Sequence, residues 1–339
     1  MFYSLARSAL FKLSSETAHD FSMNAIDVLG LLPNKTWLNH AVYAPKHVMG
    51  LEFANSVGLS AGLDKNADHI LGLAQLGFGF IEVGTVTPKP QPGNPMPRLF
   101  RLKSQRAIIN RMGFNNKGVD HLVQRVQHAR KQGYRGIIGI NIGKNLTTPV
   151  EEATADYLIC YEKVYAHADY VVVNISSPNT PGLRQLQFGA ALDELLTTLK
   201  SEQYKLAERH GRYVPLVLKI APDLEPNEIQ QLAAQFLAHE IDGVIATNTT
   251  AGREGVEQHP VSTEAGGLSG KPLTAKSDQV IKSLSKALDG RIPIIGVGGI
   301  HSAQDARNKI AAGASLVQVY TGFIYEGPGL IRDAAKALA

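Results

Sequence analysis

Amides, hydroxyls and two lysines follow closely on apolar runs in this sequence, and few acids accompany them. Ala61-Gly62-Leu63-Asp64-Lys65 closes the first run, Gly84-Thr85 the second and Asn141-Ile142-Gly143 the third. The fourth ends in Asn174-Ile175-Ser176-Ser177-Pro178-Asn179, the fifth carries Lys219, and the sixth ends in Thr247-Asn248-Thr249-Thr250. Gly296-Val297-Gly298-Gly299 and Tyr320-Thr321-Gly322 finish the series. Groups of these types gathered on one rim have the composition of an active site. No carboxylate pair and no His cluster stands among them, so two-carboxylate glycosidase chemistry and metal hydrolysis find no support. A strand-end lysine can be a Schiff-base nucleophile, a phosphate partner or a cation facing a developing anion. Asp64 offers Lys65 a plain structural partner. Lys219, between Leu218 and Ile220, would suffer desolvation for nothing if it were idle. Gly298-Gly299 alone reads equally as a tight turn or a phosphate seat. With Gly270 and the surrounding amides, a phosphorylated cofactor is the better reading.

The runs that must position these groups lie at 56–59, 80–83, 136–142, 170–175, 216–220, 243–247, 294–297 and 316–320. Each is continuously apolar rather than alternating, as strands buried on both faces read. Segments of helical period at 67–76, 119–131, 151–165, 190–208, 227–238, 276–288, 303–312 and 330–338 come between and after them. Eight strand–helix units over about 280 residues predict an α/β fold, a (β/α)8 TIM barrel, whose chemistry sits at the C-terminal strand ends. An open doubly wound sheet normally shows a G-x-G-x-x-G turn, and none follows a strand here. Two segments lie outside the repeat. Residues 86–117 hold five prolines and are too long for an ordinary βα loop, so they read as functional. Residues 1–45 predict a short N-terminal helical extension ahead of a barrel at 46–339. Phe2, Leu5, Ala9 and Leu13 share one helical face, and Ala18, Phe21, Ala25, Val28 and Leu32 another after a start at Ser14-Ser15. Such faces pack on the barrel, or meet a membrane or ligand tunnel.

Composition narrows the setting. The 339 residues are 44% hydrophobic and 19% charged, enough chain for one large domain with a full core. The single cysteine, Cys160, excludes an internal disulfide and an iron–sulfur cluster held by this chain alone, and suits a reducing compartment. No apolar run approaches the roughly 18 residues of a membrane span. Arg7, Lys12, Glu16 and Asp20 interrupt the N-terminus, so it does not read as a signal peptide. The net charge of +4 is uneven: residues 89–135 carry eleven Lys and Arg against one acid, Asp120. Such a patch suits nucleic acid, anionic lipid or a small anion. No nucleic-acid motif accompanies it, and no nucleic-acid partner is expected.

The motifs at residues 61–65, 174–179, 246–250 and 296–300 stand in one chain with Gly84-Thr85-Val86-Thr87-Pro88, Asn110-Arg111-Met112-Gly113-Phe114-Asn115-Asn116 and Gly266-Gly267-Leu268-Ser269-Gly270. Together they resemble the class 2, quinone-dependent dihydroorotate dehydrogenases, flavoproteins of pyrimidine (UMP) biosynthesis, and the resemblance covers essentially the whole chain. It implies that dihydroorotate loses a proton beside its ring carbonyl and a hydride from the carbon bearing its carboxylate, the hydride passing to FMN. Ser177 would be the general base, helped by a water or hydroxyl relay through Thr180 and by hydrogen bonds that acidify the substrate carbon. Class 1 relatives use a cysteine, whereas Cys160 falls within a helix. The resemblance places FMN on Ala61, Gly62, Leu63, Asp64, Lys65, Thr85, Asn141, Asn174, Lys219, Thr247, Gly270, Gly299, Tyr320 and Thr321. Lys219 would balance charge on the reduced ring. Orotate would meet Lys65, Asn110, Arg111, Met112, Gly113, Phe114, Asn174, Asn179, Asn248 and Thr249. A ubiquinone or menaquinone would enter beneath the N-terminal helices, past Phe2, Leu5, Leu13 and Phe21, towards His19 and Arg101. The implied protein is a monomer, peripheral on the cytoplasmic face of the inner membrane. Two rivals remain: a class 1 enzyme using fumarate or NAD, and a flavin-free aldolase working through Lys219.

Overall fold

The computed structural model describes residues 2–30 and 41–339. Two helices, α1 (Phe2–Leu10) and α2 (Ser15–Gly30), precede a hairpin of β1 (Lys46–Val48) and β2 (Leu51–Phe53). Next come β3 (Val57–Leu59), α3 (Ile70–Ala74), β4 (Phe80–Val86), β5 (Leu99–Leu102), β6 (Ala107–Asn110) and α4 (Val119–Lys131). The middle of the chain forms β7 (Ile137–Ile142), α5 (Ala153–Val164), β8 (Tyr170–Asn174), α6 (Gly189–His210), β9 (Leu216–Ile220) and α7 (Pro226–Ala238). It continues with β10 (Gly243–Ala246), β11 (Gly267–Gly270), α8 (Thr274–Leu288), β12 (Ile294–Val297) and α9 (Ala303–Ala311). β13 (Leu316–Val319), α10 (Thr321–Glu326) and α11 (Gly329–Leu338) complete it.

Strands β3, β4, β7, β8, β9, β10, β12 and β13 close a parallel eight-stranded barrel, with β13 pairing back onto β3. This is the (β/α)8 architecture expected. Tyr170-Val171-Val172-Val173-Asn174 shows why: its side chains are buried on both faces, and its β-branched run suits a pleated strand. Phe53, Phe80, Tyr170, Val172, Val217, Ile245, Ile295 and Leu316 fill the barrel near the hairpin. Phe53 meets Phe80 edge to face, their centroids 5.0 Å apart. The hairpin therefore plugs the bottom of the barrel, leaving the C-terminal rim for polar groups.

Several elements differ from the sequence reading. Residues 86–117 are not simply a loop. Their β5 and β6 join β11 in an antiparallel three-stranded sheet, with Asn110 opposite both Leu99 and Gly267. The partner strand is far away in sequence, so local periodicity could not reveal it. The β1–β2 turn places Met49 and Gly50 at φ 54° and 73°, a hairpin geometry carrying no Asn-Gly signal. The helix expected at 67–76 shortens to α3, and the glycine turn at Thr321-Gly322 opens a short helix, α10.

The extension is helical as expected, with the Ser14 hydroxyl accepting the Thr17 amide at 3.2 Å as the cap of α2. Its inward face is Ala18 and Met23, with Ile26 packed alongside. Phe21 and Val28 are exposed instead, as is Leu5 on α1, and Leu13 lies past the end of α1. Leu32 and the side chain of Phe2 fall outside the described residues. Glu16 of α2 forms an ion pair with buried Arg98 at 2.9 Å, and Asp27 meets His69 at 2.6 Å. Tyr3 and Arg7 of α1 donate to the carbonyls of Ile324 and Tyr325. Among the described residues, no helix is long and apolar enough to cross a membrane.

Candidate active site

The C-terminal rim holds a cleft lined by polar groups and glycines. The ends of seven barrel strands reach it: Ala61 and Lys65 after β3, Thr85 on β4, Asn174 and Ser177 at β8, Lys219 on β9, Thr247 to Thr249 after β10, Gly298 and Gly299 after β12, and Tyr320 after β13. Asn110 at the end of β6 and Gly270 of β11 show that the added sheet supplies part of the wall.

Hydrogen bonds fix the polar groups in one sense. Glu82 of β4 is fully buried beneath the cleft, and Asn141 Nδ2 donates to its Oε1 at 2.9 Å. The Thr85 hydroxyl donates to Asn141 Oδ1 at 2.6 Å and accepts from Asn174 Nδ2 at 3.0 Å. Asn248 Nδ2 donates to Asn174 Oδ1 and Ser176 Oγ at 3.4 and 3.0 Å. Lys219 donates to Ser60 Oγ at 3.1 Å and stands 3.7 Å from Glu82. Ser177 is nearly buried, and its Oγ accepts the Asn179 amide at 3.2 Å. Asn179 in turn donates to Asn110 Oδ1 at 3.3 Å, joining the β8 loop to the added sheet.

A second cavity, about 1280 Å³, opens between α2 and the barrel. Glu16, His19, Asp20 and Asn24 of α2 face the loop at 63–69 across it. Lys65, Met112 and Tyr320 border both cavities, so the dividing wall is built of side chains. Burial and the neighbouring Arg98 bring Lys65 down to about 8, and it makes no hydrogen bond or ion pair with any described residue. Burial, then Lys65 and His69, push His19 down to about 3, so its imidazole is neutral at physiological pH.

A family model described as Dihydroorotate dehydrogenase matches residues 43–339. The chain belongs to the dihydroorotate dehydrogenase family. It is 60% identical over 338 residues to a protein of Azotobacter vinelandii named dihydroorotate dehydrogenase (quinone), covering 99% of this chain and 96% of that one. A protein of the same name from Cellvibrio japonicus is 58% identical over 343 residues, covering 99% and 98%. A DHODH from Eimeria tenella, solved with ferulenol, superposes with a TM-score of 0.89 at 40% identity over 95% of this chain and 90% of that chain.

Against the residues that the family resemblance implies, the structure gathers most around the rim cleft. Lys65, Asn110, Met112, Gly113, Phe114, Asn174, Ser177, Asn179, Lys219, Asn248 and Thr249 border it together. Ala61, Gly62, Thr85, Thr247, Gly270, Gly299, Tyr320 and Thr321 do so as well. Leu63 and Asp64 lie on the outer cavity, where the Asp64 carboxylate accepts the amides of Asp68 and His69 at 3.0 and 2.8 Å. Asn141 sits one layer beneath the cleft. Arg111 turns away: its guanidinium pairs with Glu264 at 2.5 Å and covers the Phe100 ring at 4.7 Å. Arg101 does not border the outer cavity. It donates to the carbonyls of Leu10 and Leu13 and lies 4.8 Å from the Phe11 ring centre. No hydrogen bond joins Thr180 to Ser177.

Three residues went unnoticed in the sequence. Glu82 and Gln318 lie mid-strand, in Phe80-Ile81-Glu82-Val83 and Leu316-Val317-Gln318-Val319, whereas strand ends drew the attention. A lone polar residue in a doubly buried strand was the available signal. Arg184 donates to the carbonyls of Ser176 and Thr249 at 3.1 and 3.0 Å and pairs with Asp223 at 2.9 Å. It holds two rim loops in register from outside the cleft.

Proposed function

We propose that this chain oxidises dihydroorotate to orotate and passes the electrons through FMN to a membrane quinone, a step of pyrimidine (UMP) biosynthesis. The arrangement of two cavities carries the reading. One holds Ser177 among ring-matching amides, the other opens beneath α2, and Lys65, Met112 and Tyr320 divide them. The family assignment and the quinone-dependent relatives support it.

The residues fit FMN. A Cβ on Gly299 would stand 2.1 Å from Thr274 Oγ1, and one on Gly322 1.8 Å from the Ile300 carbonyl. Packing against Thr274 and Ile300 thus admits only glycine at these two positions, and with Gly298 and Gly270 they give the cleft wall backbone free of side chains, suited to phosphate oxygens. Gln318 borders the cleft with its Oε1 buried and unpartnered, an acceptor for a ring N–H. Bound FMN supplies a ring that accepts a hydride and later releases the electrons.

The chain's own groups do the rest. Asn110, Asn174, Asn179, Asn248 and Thr249 meet the donors and acceptors of the pyrimidine ring, and Lys65 faces its carboxylate. Ser177 Oγ would take the proton from the ring carbon beside the carbonyl as its own hydroxyl proton passes through water to solvent. The Asn179 amide donating to that oxygen favours its anionic form. Lys219 faces the charge that builds as the ring is reduced. Neutral His19 offers a quinone carbonyl a hydrogen bond rather than a charge. Arg101 acts one step removed, tying the end of α1 to β5 of the added sheet, whose Leu99 borders that entrance. Exposed Leu5, Leu13, Phe21 and Val28 give the extension an apolar surface for peripheral attachment, at the cytoplasmic face of the inner membrane.

Anaerobic dihydroorotate should bleach the flavin absorbance of the purified protein, and a ubiquinone or menaquinone analogue should restore it while fumarate does not. A colourless protein that FMN cannot reconstitute would overturn the reading. Recovery with fumarate alone would move the chain to class 1 chemistry.

A further inference from the structure

Glu82 is an acid on the inside of the barrel, with no exposure to water. Three side chains donate hydrogen bonds to it. Asn141 Nδ2 and Gln318 Nε2 donate at 2.9 and 2.6 Å, and the Tyr170 hydroxyl donates at 3.4 Å. The Lys219 ammonium stands 3.7 Å away. An ionised carboxylate only accepts, so it forces each neighbour to present a donor. Asn141 must then turn its oxygen to Thr85, Thr85 must donate down to it, and Asn174 must give its NH₂ to Thr85. Gln318, its NH₂ spent on Glu82, is left with the unpartnered Oε1 at the cleft. One carboxylate thus sets the donor and acceptor sense of the cleft floor.

We propose that Glu82 is the positioning residue of this site, an ionised carboxylate that orients Asn141 and Gln318 and, through its pairing with Lys219, holds down the reduction potential of the flavin above. The inference rests on the flavin reading given under Proposed function. Its electrostatics follow from sign. Lys219 alone favours electrons on the ring, and the carboxylate offsets part of that cation in a region shielded from solvent. Removing the negative charge while keeping the shape must make the flavin easier to reduce. Glu82 does not border the cleft, so it acts only through its partners.

The test uses flavin-loaded wild type, Glu82→Gln, Lys219→Met and the double variant, with midpoint potentials measured against a reference dye. Glu82→Gln should move the reduced-to-oxidised ratio at a fixed potential at least tenfold towards reduced, a positive shift of about 30 mV for two electrons. Glu82→Asp, which keeps the charge, should restore most of the wild-type value. Without Lys219 the buried carboxylate loses its counter-charge and takes up a proton, so in the Lys219→Met background the same substitution should shift the ratio less than threefold. A flavin-replete Glu82→Gln protein with an unchanged potential would overturn the proposal. So would an equal shift in the Lys219→Met background, because the effect would then not pass through Lys219. Should Glu82→Gln fail to fold, recovery of folded flavoprotein in the double variant would support the pairing, and failure of both would make Glu82 purely structural. A wild-type protein that binds no flavin would refute the flavin reading instead, leaving the two failures distinct.

Discussion

The two cavities share a wall but are built on different principles. The rim cleft rests on strand ends, and its polar groups join one hydrogen-bonded chain from Glu82 through Asn141, Thr85 and Asn174 to Asn248. The outer cavity is closed on one side by α2, which a few ion pairs and a modest apolar face hold in place. A barrel rim fixes groups to fractions of an ångström, as proton and hydride removal require. A docked helix can yield to admit a long apolar molecule. Precision and access are thus assigned to separate regions of one chain.

That contrast can be broken by experiment. Ser177→Ala should slow flavin reduction by dihydroorotate about 10²–10⁴-fold, the usual worth of a general base, while reoxidation by quinone stays near wild type. Anaerobic stopped-flow measures both, and equal loss in the two half-reactions would dissolve the distinction. Glu16→Gln leaves the Arg98 guanidinium buried without its charge partner, a change that costs about 3 kcal/mol in such pairs. Amide exchange in α2 should accelerate and quinone turnover fall, with flavin reduction unaffected. Lys65 stands on the shared wall, so its charge is read from the inner side. In the proposed function Lys65 meets the substrate carboxylate, as an ammonium below about pH 8 and as a neutral amine above it. The kcat/KM for dihydroorotate should therefore fall as pH rises through 8, roughly tenfold per unit. Lys65→Arg should remove that limb, since a guanidinium stays charged. The smallest effect belongs to the outermost surface. Phe21→Ser should weaken binding to lipid vesicles about tenfold, as expected for about 1.5 kcal/mol of partly buried apolar surface, and leave both half-reactions with soluble partners intact.

The barrel was legible because each strand is a doubly buried apolar run, and the rim because its amides follow those runs at once. Asn110 and Asn179 could be named from motifs, yet their contact depends on a sheet whose third strand lies far along the chain. Arg111 stands in a motif and Arg101 outside any, and Glu264 and the carbonyls of Leu10 and Leu13 draw both outward. The basic stretch at 89–135 looked like a patch for an anionic partner. In the fold Arg98, Arg106, Arg111, Lys117, Arg125 and Arg130 meet carboxylates from other segments. Local charge in a sequence omits the acids that folding brings alongside. Glu82 was hidden for the opposite reason: its meaning lies in neighbours from four different strands.

The wall formed by Lys65, Met112 and Tyr320 has a consequence for inhibition. On the proposed function, electrons would cross only a side-chain layer, and each organic reactant would have its own doorway. A molecule wedged against α2 therefore leaves the pyrimidine chamber open, and more dihydroorotate cannot dislodge it. The protein would fill with reduced, colourless flavin and stall there. Compounds aimed at the doorway under the extension would arrest the cycle at a point that rising substrate cannot relieve.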